Sequence, residues 1–318
     1  MGKETNMDVV TFGEAMAMFI ADQPGPLTNM SKCSLALAGA EVNVAIGLAR
    51  LGYQTGWVSQ LGNDEFGRFI LDRLAQERVN LANVTINKVW PTGFQFKSKV
   101  RSGDPRVEYF RANSAASKID QQQFSNSYFL NFSHLHLTGI PLAISKSARM
   151  FSQLAITCMR EQGRPISFDP NLRPMLWKSK HEMIDTVNIF AKQANYFLPG
   201  LEEGRLLTGR ETPEDIADFY LEQGVEMVAV KLANNGAYYK TRSKSGYVSQ
   251  IPVTKVVDTV GAGDGFAVGV ISGLLDGLTI EETIFRANII GALAVQSEGD
   301  HDNYPTREQL EKYQRQFV

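Results

Sequence analysis

Short apolar runs that stop at glycine or proline recur along the chain: Asp8 to Gly13, Thr55 to Gly62, His134 to Gly139, Pro165 to Pro170, Asn195 to Gly200 and Glu226 to Leu232. Runs of this length with little polar interruption predict parallel strands buried on both faces. Between them, apolar residues recur at helical spacing over Glu41 to Gly52, Phe66 to Glu77 and Ala143 to Gly163. Strand followed by helix, repeated, predicts an α/β fold with a doubly wound parallel sheet. Two stretches depart from that rhythm. Ala15 to Ala21 and Thr92 to Ser114 alternate apolar and polar residues, and the second contains Ser-Gly-Asp-Pro at 102–105, so it reads as a β-hairpin. The expected division is a body of residues 1–14, 39–90 and 115–318 carrying a small inserted β lid of residues 15–38 and 91–114.

Near the end of the chain, Val256 to Val270 reads VVDTVGAGDGFAVGV. Glycine loses more backbone freedom on folding than any other residue, so Gly261, Gly263 and Gly265 around Asp264 call for a reason. Phe266, Val270, Ile271 and Leu274 share one helical face, which puts Gly261, Ala262 and Gly263 at a helix N-terminus. Free amides and the helix dipole there favour an anion such as a phosphate. A carboxylate beside that anion is repulsive unless it has a proton to receive, and a sugar hydroxyl attacking a phosphate supplies one. The same residues also fit a tight turn whose aspartate caps the helix. A dinucleotide fingerprint after the first strand and a Walker A loop are both missing from the sequence.

Composition narrows the partner. With 32 basic and 34 acidic residues the formal charge is -2, too balanced for a field that gathers nucleic acid or an anionic membrane. A small molecule is expected. Cys33 and Cys158 stand far apart, in no zinc or redox spacing, which suits a reducing cytoplasm, and no run of 18 apolar residues occurs. His134 and His136 share a strand face as metal ligands sometimes do, but without a third ligand nearby they read as packed strand residues.

Asp258 to Phe266 (DTVGAGDGF) resembles the C-terminal signature of the ribokinase-like (PfkB) carbohydrate kinases, and Ala38 to Gly52 (AGAEVNVAIGLARLG) resembles their N-terminal one. The resemblance spans essentially the whole chain and implies a three-layer α/β/α body whose β lid closes over a sugar, with ATP and Mg2+ as cofactors. Within the family the 2-keto-3-deoxygluconate kinases are most similar, through Phe12 to Phe19, Pro91 to Ser117, Leu198 to Gly209 and Glu298 to Leu310. Asp264 then matches the catalytic base and Gly261 to Gly263 the anion hole. Gly39, Ala40, Asn43 and Tyr109 match sugar-contacting positions, and Arg111 and Arg173 match arginines that hold the substrate carboxylate, a role suited to a rigid fork of donors. By position alone both arginines could equally be surface residues. Lys231, Asn235, Gly236 and Asn288 match positions lining the ATP site.

Further departures and likenesses refine this. Met18 stands where fructokinases and ribokinases carry an aspartate for sugar hydroxyls, which fits a deoxy substrate, and Asp300 follows glycine as in the ketodeoxygluconate kinases, where it would hold a hydroxyl. Gly200 replaces the asparagine of the family's Asn-x-x-Glu element while Glu203 is retained, so Glu203 would act on magnesium indirectly, through water. Asp258 resembles a residue that in some relatives helps to bind a monovalent cation. The implied activity is transfer of the ATP γ-phosphoryl group to the 6-hydroxyl of 2-keto-3-deoxygluconate; a fructokinase and a non-catalytic sugar-binding protein are the alternatives. Exposed lid edges would be safer paired, so a dimer through the lids is expected.

Overall fold

The strands are β1 (Met7–Phe12), β2 (Met16–Pro24), β3 (Cys33–Ala38), β4 (Thr55–Gly62), β5 (Val84–Asn87), β6 (Phe94–Lys99), β7 (Val107–Phe110), β8 (Phe132–Thr138), β9 (Ile166–Asp169), β10 (Tyr196–Phe197), β11 (Met227–Lys231), β12 (Ala237–Thr241) and β13 (Ser245–Val248). The helices are α1 (Ala40–Arg50), α2 (Glu65–Gln76), α3 (Asn126–Phe129), α4 (Ile140–Ile144), α5 (Lys146–Glu161), α6 (Lys180–Ala191), α7 (Leu201–Thr208), α8 (Pro213–Leu221), α9 (Ala262–Leu275), α10 (Ile280–Ala294) and α11 (Arg307–Gln314). They belong to a computed structural model that describes residues 7–100, 105–253 and 255–317.

Nine strands form one sheet in the order β13-β12-β11-β10-β9-β8-β1-β4-β5, parallel except where β12 and β13 turn back at one edge. The two-residue period of a strand sends neighbours to opposite faces. Val10 and Phe12 of β1, with Val228 and Val230 of β11, join Phe151 and Met159 of α5 in one apolar core; Val9, Met227 and Ala229 join Val268 and Ile271 of α9 and Ile289 of α10 in another. Burial on both faces is what made these strands read as apolar runs. From β1 the order proceeds through β4 to one edge and through β8 to the other, so the loops diverge at the β1/β8 boundary and leave a crevice at the C-terminal strand ends, where open α/β sheets bind ligands.

The second sheet has the order β3-β2-β6-β7. Its alternation is clean. Phe19, Phe94, Phe96 and Phe110 cluster on one face, while Met16, Gln95, Lys97 and Tyr109 turn to the crevice. Of the expected hairpin turn, residues 102–104 lie outside the described residues.

Two local expectations differ from the fold. Ala143 to Gly163 is not one helix: Ser145 is extended (φ -165°), and its hydroxyl caps α5 by accepting from Ala148 N at 3.0 Å, leaving Ala143 in the short α4. Nor does α9 show a single apolar face. It is buried almost all round because α1 and α10 pack against it, and α10 comes so close that a Cβ on Gly269 would lie 2.2 Å from Ala287 Cα. None of the described helices is long and apolar enough to cross a membrane.

Candidate functional site

The parallel strands deliver polar residues to one edge. Glu14 follows β1, Thr138 ends β8, Asp169 ends β9, Gly200 follows β10 and Lys231 ends β11. The N-terminus of α9 points at the same edge. Gly261 caps it with φ +86°, and a Cβ there would stand 1.9 Å from the Asp300 carbonyl oxygen. Both facts exclude a side chain. Tyr304 Oη donates to Gly261 O at 2.6 Å, so the tip is pinned from behind.

Asp264 lies in the first turn of α9 and is buried. Its Oδ2 accepts from Asn43 Nδ2 at 2.8 Å and its Oδ1 from Asn171 Nδ2 at 3.2 Å. A ring nitrogen of His301 bonds Asn43 Oδ1 at 3.0 Å, which fixes the Asn43 amide with its N–H groups toward Asp264. Burial lifts the Asp264 carboxyl to about 7, against the opposing pull of the Asn43 bond, and the charges of Asp169 and Asp300 add to the rise. A base poised near neutrality is suited to proton transfer.

Two buried ion clusters flank this carboxylate. On one side Lys231 Nζ bonds Asp169 Oδ2 at 2.6 Å. Burial opposes the Lys231 charge, but Asp169 and Glu203 outweigh it and hold the pKa above the ordinary lysine value. Glu203 Oε1 accepts from Leu172 N at 2.7 Å and Oε2 from Gly200 N at 2.8 Å, while burial raises its pKa. On the other side Lys97 Nζ, reaching in from β6, lies 2.6 Å from Asp258 Oδ2 and 2.9 Å from Asp300 Oδ1.

Around them are two cavities. A polar one of about 350 Å³ is lined by Gly39, Ala40, Asn43, Tyr109, Arg111, Arg173, Asp264 and Asp300 among others, and an apolar one of about 540 Å³ by Gly236, Ile251, Val253, Phe266, Asn288 and Val295 among others. Glu203, Lys231, Thr259 and Gly263 line both. Ala262 faces the apolar cavity, and a Cβ on Gly263 would meet only Lys231 Nζ, at 3.5 Å. Asn235 is not among the lining residues, whereas its neighbour Asn234 is. Asn288 donates to Val248 O and Ser249 O, both at 3.0 Å, and so fixes the cavity's wall. Asp258 lies behind the polar cavity rather than on its surface, and Met18 packs with Ile20 and Ala38, leaving Met16 to face the cavity.

The two arginines are in different states. Arg111 Nε donates to Glu14 Oε2 at 2.6 Å, so much of its charge is matched. Arg173 donates to Leu172 O at 2.9 Å and has no carboxylate partner among the described residues. Its charge forms no salt bridge among the described residues and acts on Asp264 from a longer range, opposing the rise of that carboxyl's pKa.

Residues 6–307 match the pfkB family carbohydrate kinase. The chain belongs to that family. It is 51% identical over 308 residues to a 2-dehydro-3-deoxygluconokinase of Bacillus subtilis (strain 168), covering 96% of this chain and 95% of that one. A crystal structure of a PfkB protein from Polaromonas sp. JS666 is 47% identical, with a TM-score of 0.89 over 96% of this chain and 99% of that one. A ribokinase II candidate of E. coli, solved in complex with ATP and Mg2+, is 28% identical, with a TM-score of 0.89 over 98% of this chain and 99% of that one.

In this PfkB kinase several cavity residues escape a reading of the sequence. Glu14 Oε1, Glu41 Oε2 and Asn171 Oδ1 are buried without a hydrogen-bond partner, and all three residues line the polar cavity. Unpaired buried acceptors are rare in folded proteins, and a ligand rich in hydroxyl groups would satisfy them. Burial holds the Glu41 carboxyl at about 7 although Thr138 Oγ1 donates to it. Asp169 shows in the sequence only as the polar end of the apolar run from Pro165 to Pro170. Glu14 and Glu41 carried one usable signal, an acid set directly in an apolar strand or helix pattern. His134 and His136 instead share the Ser167 hydroxyl, at 2.8 and 2.9 Å, and burial pushes both down to about 3.

Proposed function

We propose that this kinase transfers the γ-phosphoryl group of ATP to the 6-hydroxyl of 2-dehydro-3-deoxygluconate, with Asp264 as the base. The observation that carries the reading is the meeting of the two cavities at Gly263 and Lys231, with Asp264 just inside the polar one. The apolar cavity suits an adenine and the polar one a hydroxylated acid. A phosphoryl group crossing between them passes the carboxylate. The likeness to the B. subtilis enzyme supports the choice of substrate, and the unpaired Arg173 supports a substrate with a carboxylate.

The sugar acid lies against Gly39, Ala40, Asn43 and Tyr109, and each hydroxyl other than that at C6 donates to one acceptor of the set Glu14, Glu41, Asn171 and Asp300. Arg173, assisted by Arg111, takes the carboxylate. Asp264 accepts the proton of the 6-hydroxyl as that oxygen bonds to the γ-phosphorus and the bond to the ADP oxygen breaks. Amides of Gly261, Ala262 and Gly263 and the Lys231 ammonium receive charge developing on the phosphoryl oxygens. Gly236 and Asn288 bound the nucleotide, and Asn235 acts through the turn that shapes its site.

Magnesium fits as a companion of the nucleotide. Both Glu203 oxygens accept backbone amides, and Asp169 is bonded by Asn171 N at 3.0 Å and by Lys231, so neither presents a free carboxylate to a metal. The ion would be held by phosphate oxygens and water, with Glu203 reached through that water, and would neutralise phosphate charge. Cys33 and Cys158 are unpaired, which accords with a cytoplasmic setting. Exposed Leu35 and Phe110 support self-association through the lids.

A panel of sugars and sugar acids scored by ADP release tests the reading. Turnover should be fastest on 2-dehydro-3-deoxygluconate. Faster turnover on fructose, or none on any substrate, refutes it.

A further inference from the structure

Lys97 is the most deeply buried lysine facing the site, with a side chain 1% exposed. Its ammonium has three oxygen neighbours: Asp258 Oδ2 at 2.6 Å, Asp300 Oδ1 at 2.9 Å and the Glu298 carbonyl oxygen at 3.1 Å. Two carboxylates and a carbonyl converging at these distances form the shell of a small monovalent cation, here filled by a covalently attached one. The surrounding bonds show what the charge holds in place. Asp258 Oδ1 accepts from Val260 N at 2.9 Å and so shapes the turn into Gly261, while the Asp300 carbonyl packs against Gly261 itself. Without a cation between them, two buried carboxylates would repel each other, and the two segments framing the α9 tip would separate.

We propose that Lys97 is a tethered monovalent cation: its ammonium does the work of a free potassium or ammonium ion between Asp258 and Asp300, so catalysis by this chain requires no such ion in solution. The strand that carries it belongs to the small sheet and the carboxylates to the body, so the charge that sets the helix tip is supplied by the lid. Lys97 is thus a positioning residue, acting through Asp258, Asp300 and Gly261. The inference rests on the proposed kinase activity for its kinetic readout alone.

The test compares the full-length protein with Lys97→Ala and Lys97→Gln in tetramethylammonium, potassium and ammonium chlorides at one ionic strength. The wild type should turn over equally in all three. For the variants kcat should fall about 100-fold in tetramethylammonium, the loss expected from a misplacement of roughly 1 Å at the reacting centre, with KM for ATP little changed. Potassium or ammonium should restore most of it and raise the melting temperature of the variants but not of the wild type. Potassium activation of the wild type, indifference of the variants to the loss of Lys97, or a loss that neither ion rescues would overturn the proposal. So would unfolding of both variants in potassium chloride. If the wild type leaves 2-dehydro-3-deoxygluconate untouched, the substrate assignment fails, and the melting shifts still decide the role of Lys97.

Discussion

Asp264→Asn separates chemistry from folding at this site. The carboxylate receives one amide donor on each oxygen, from Asn43 and Asn171. An asparagine keeps one carbonyl oxygen and places an NH2 opposite the other donor, a clash that would cost about 1–3 kcal/mol if nothing moved. Asn171 can relieve it, because its own Oδ1 lacks a partner and a flip of its amide presents that oxygen to the new N–H. The substitution also removes a buried charge. Because folding raises the Asp264 pKa from 3.8 to about 7, its stabilising contribution is complete below 3.8 and is lost as pH rises through 7. At pH ~8 the ionised wild type therefore bears a penalty of up to about 4 kcal/mol that the neutral variant escapes. We expect Asp264→Asn to melt no lower than wild type at that pH. Loss of the base should reduce kcat by about 10²–10⁴-fold, equivalent to roughly 3–5 kcal/mol in the barrier. ADP release under saturating substrates measures the first quantity, calorimetric titration with ATP checks that the nucleotide still binds, and a thermal melt reads the stability. A kcat within tenfold of wild type, with ATP binding and melting intact, would refute Asp264 as the base.

Three further outcomes are expected. Asp264 must be ionised to accept a proton, so kcat/KM should fall tenfold per pH unit below about 7; a profile flat down to about pH 5.5 would remove that role. Glu41→Gln should raise stability by about 3 kcal/mol above pH ~7 and by little below pH ~4.5, because folding raises the Glu41 pKa and its ionised form alone bears the burial cost. Equal shifts in denaturant midpoint at both extremes would contradict this. Arg173→Met should raise KM for the sugar acid about 10–100-fold, the worth of a charge-assisted bond, and leave an analogue lacking the carboxylate nearly unaffected; equal losses on both would show that Arg173 does not read the carboxylate.

What could be read from the sequence follows from which residues are constrained by their neighbours in the chain. Buried parallel strands such as β4, buried at every position, and the glycine-lined tip of α9 are local features, since burial and a positive φ each act on the residue type directly. Edge elements are less visible. β5 and β13 are each exposed at half of their positions, and neither has an apolar run to announce it. The proposed anion hole and base could be named from the sequence because one helix start supplies all of them. Glu14, Glu41 and the Asp169–Asn171 turn come from separate segments, and only the crossing of β1, α1 and β9 at one sheet edge turns isolated polar residues into a cavity wall.

The Lys97 cluster marks the limit of local reading most sharply. Lys97 belongs to an alternating lid strand in which a lysine reads as a solvated position, and Asp258 lies far along the chain from it, so nothing local links the two. Pairing across the two sheets reverses the meaning of each. A lysine on the inward face of β6 would be intolerable without carboxylates, and two carboxylates beneath the α9 tip would be intolerable without a cation. Burial opposes the charge of the Lys97 ammonium, yet Asp300 and Asp258 outweigh it and hold the pKa above the ordinary lysine value, so the ammonium stays charged throughout the range in which Asp264 titrates. Asp264 can therefore change its protonation state while the ammonium proposed to position its helix keeps its charge.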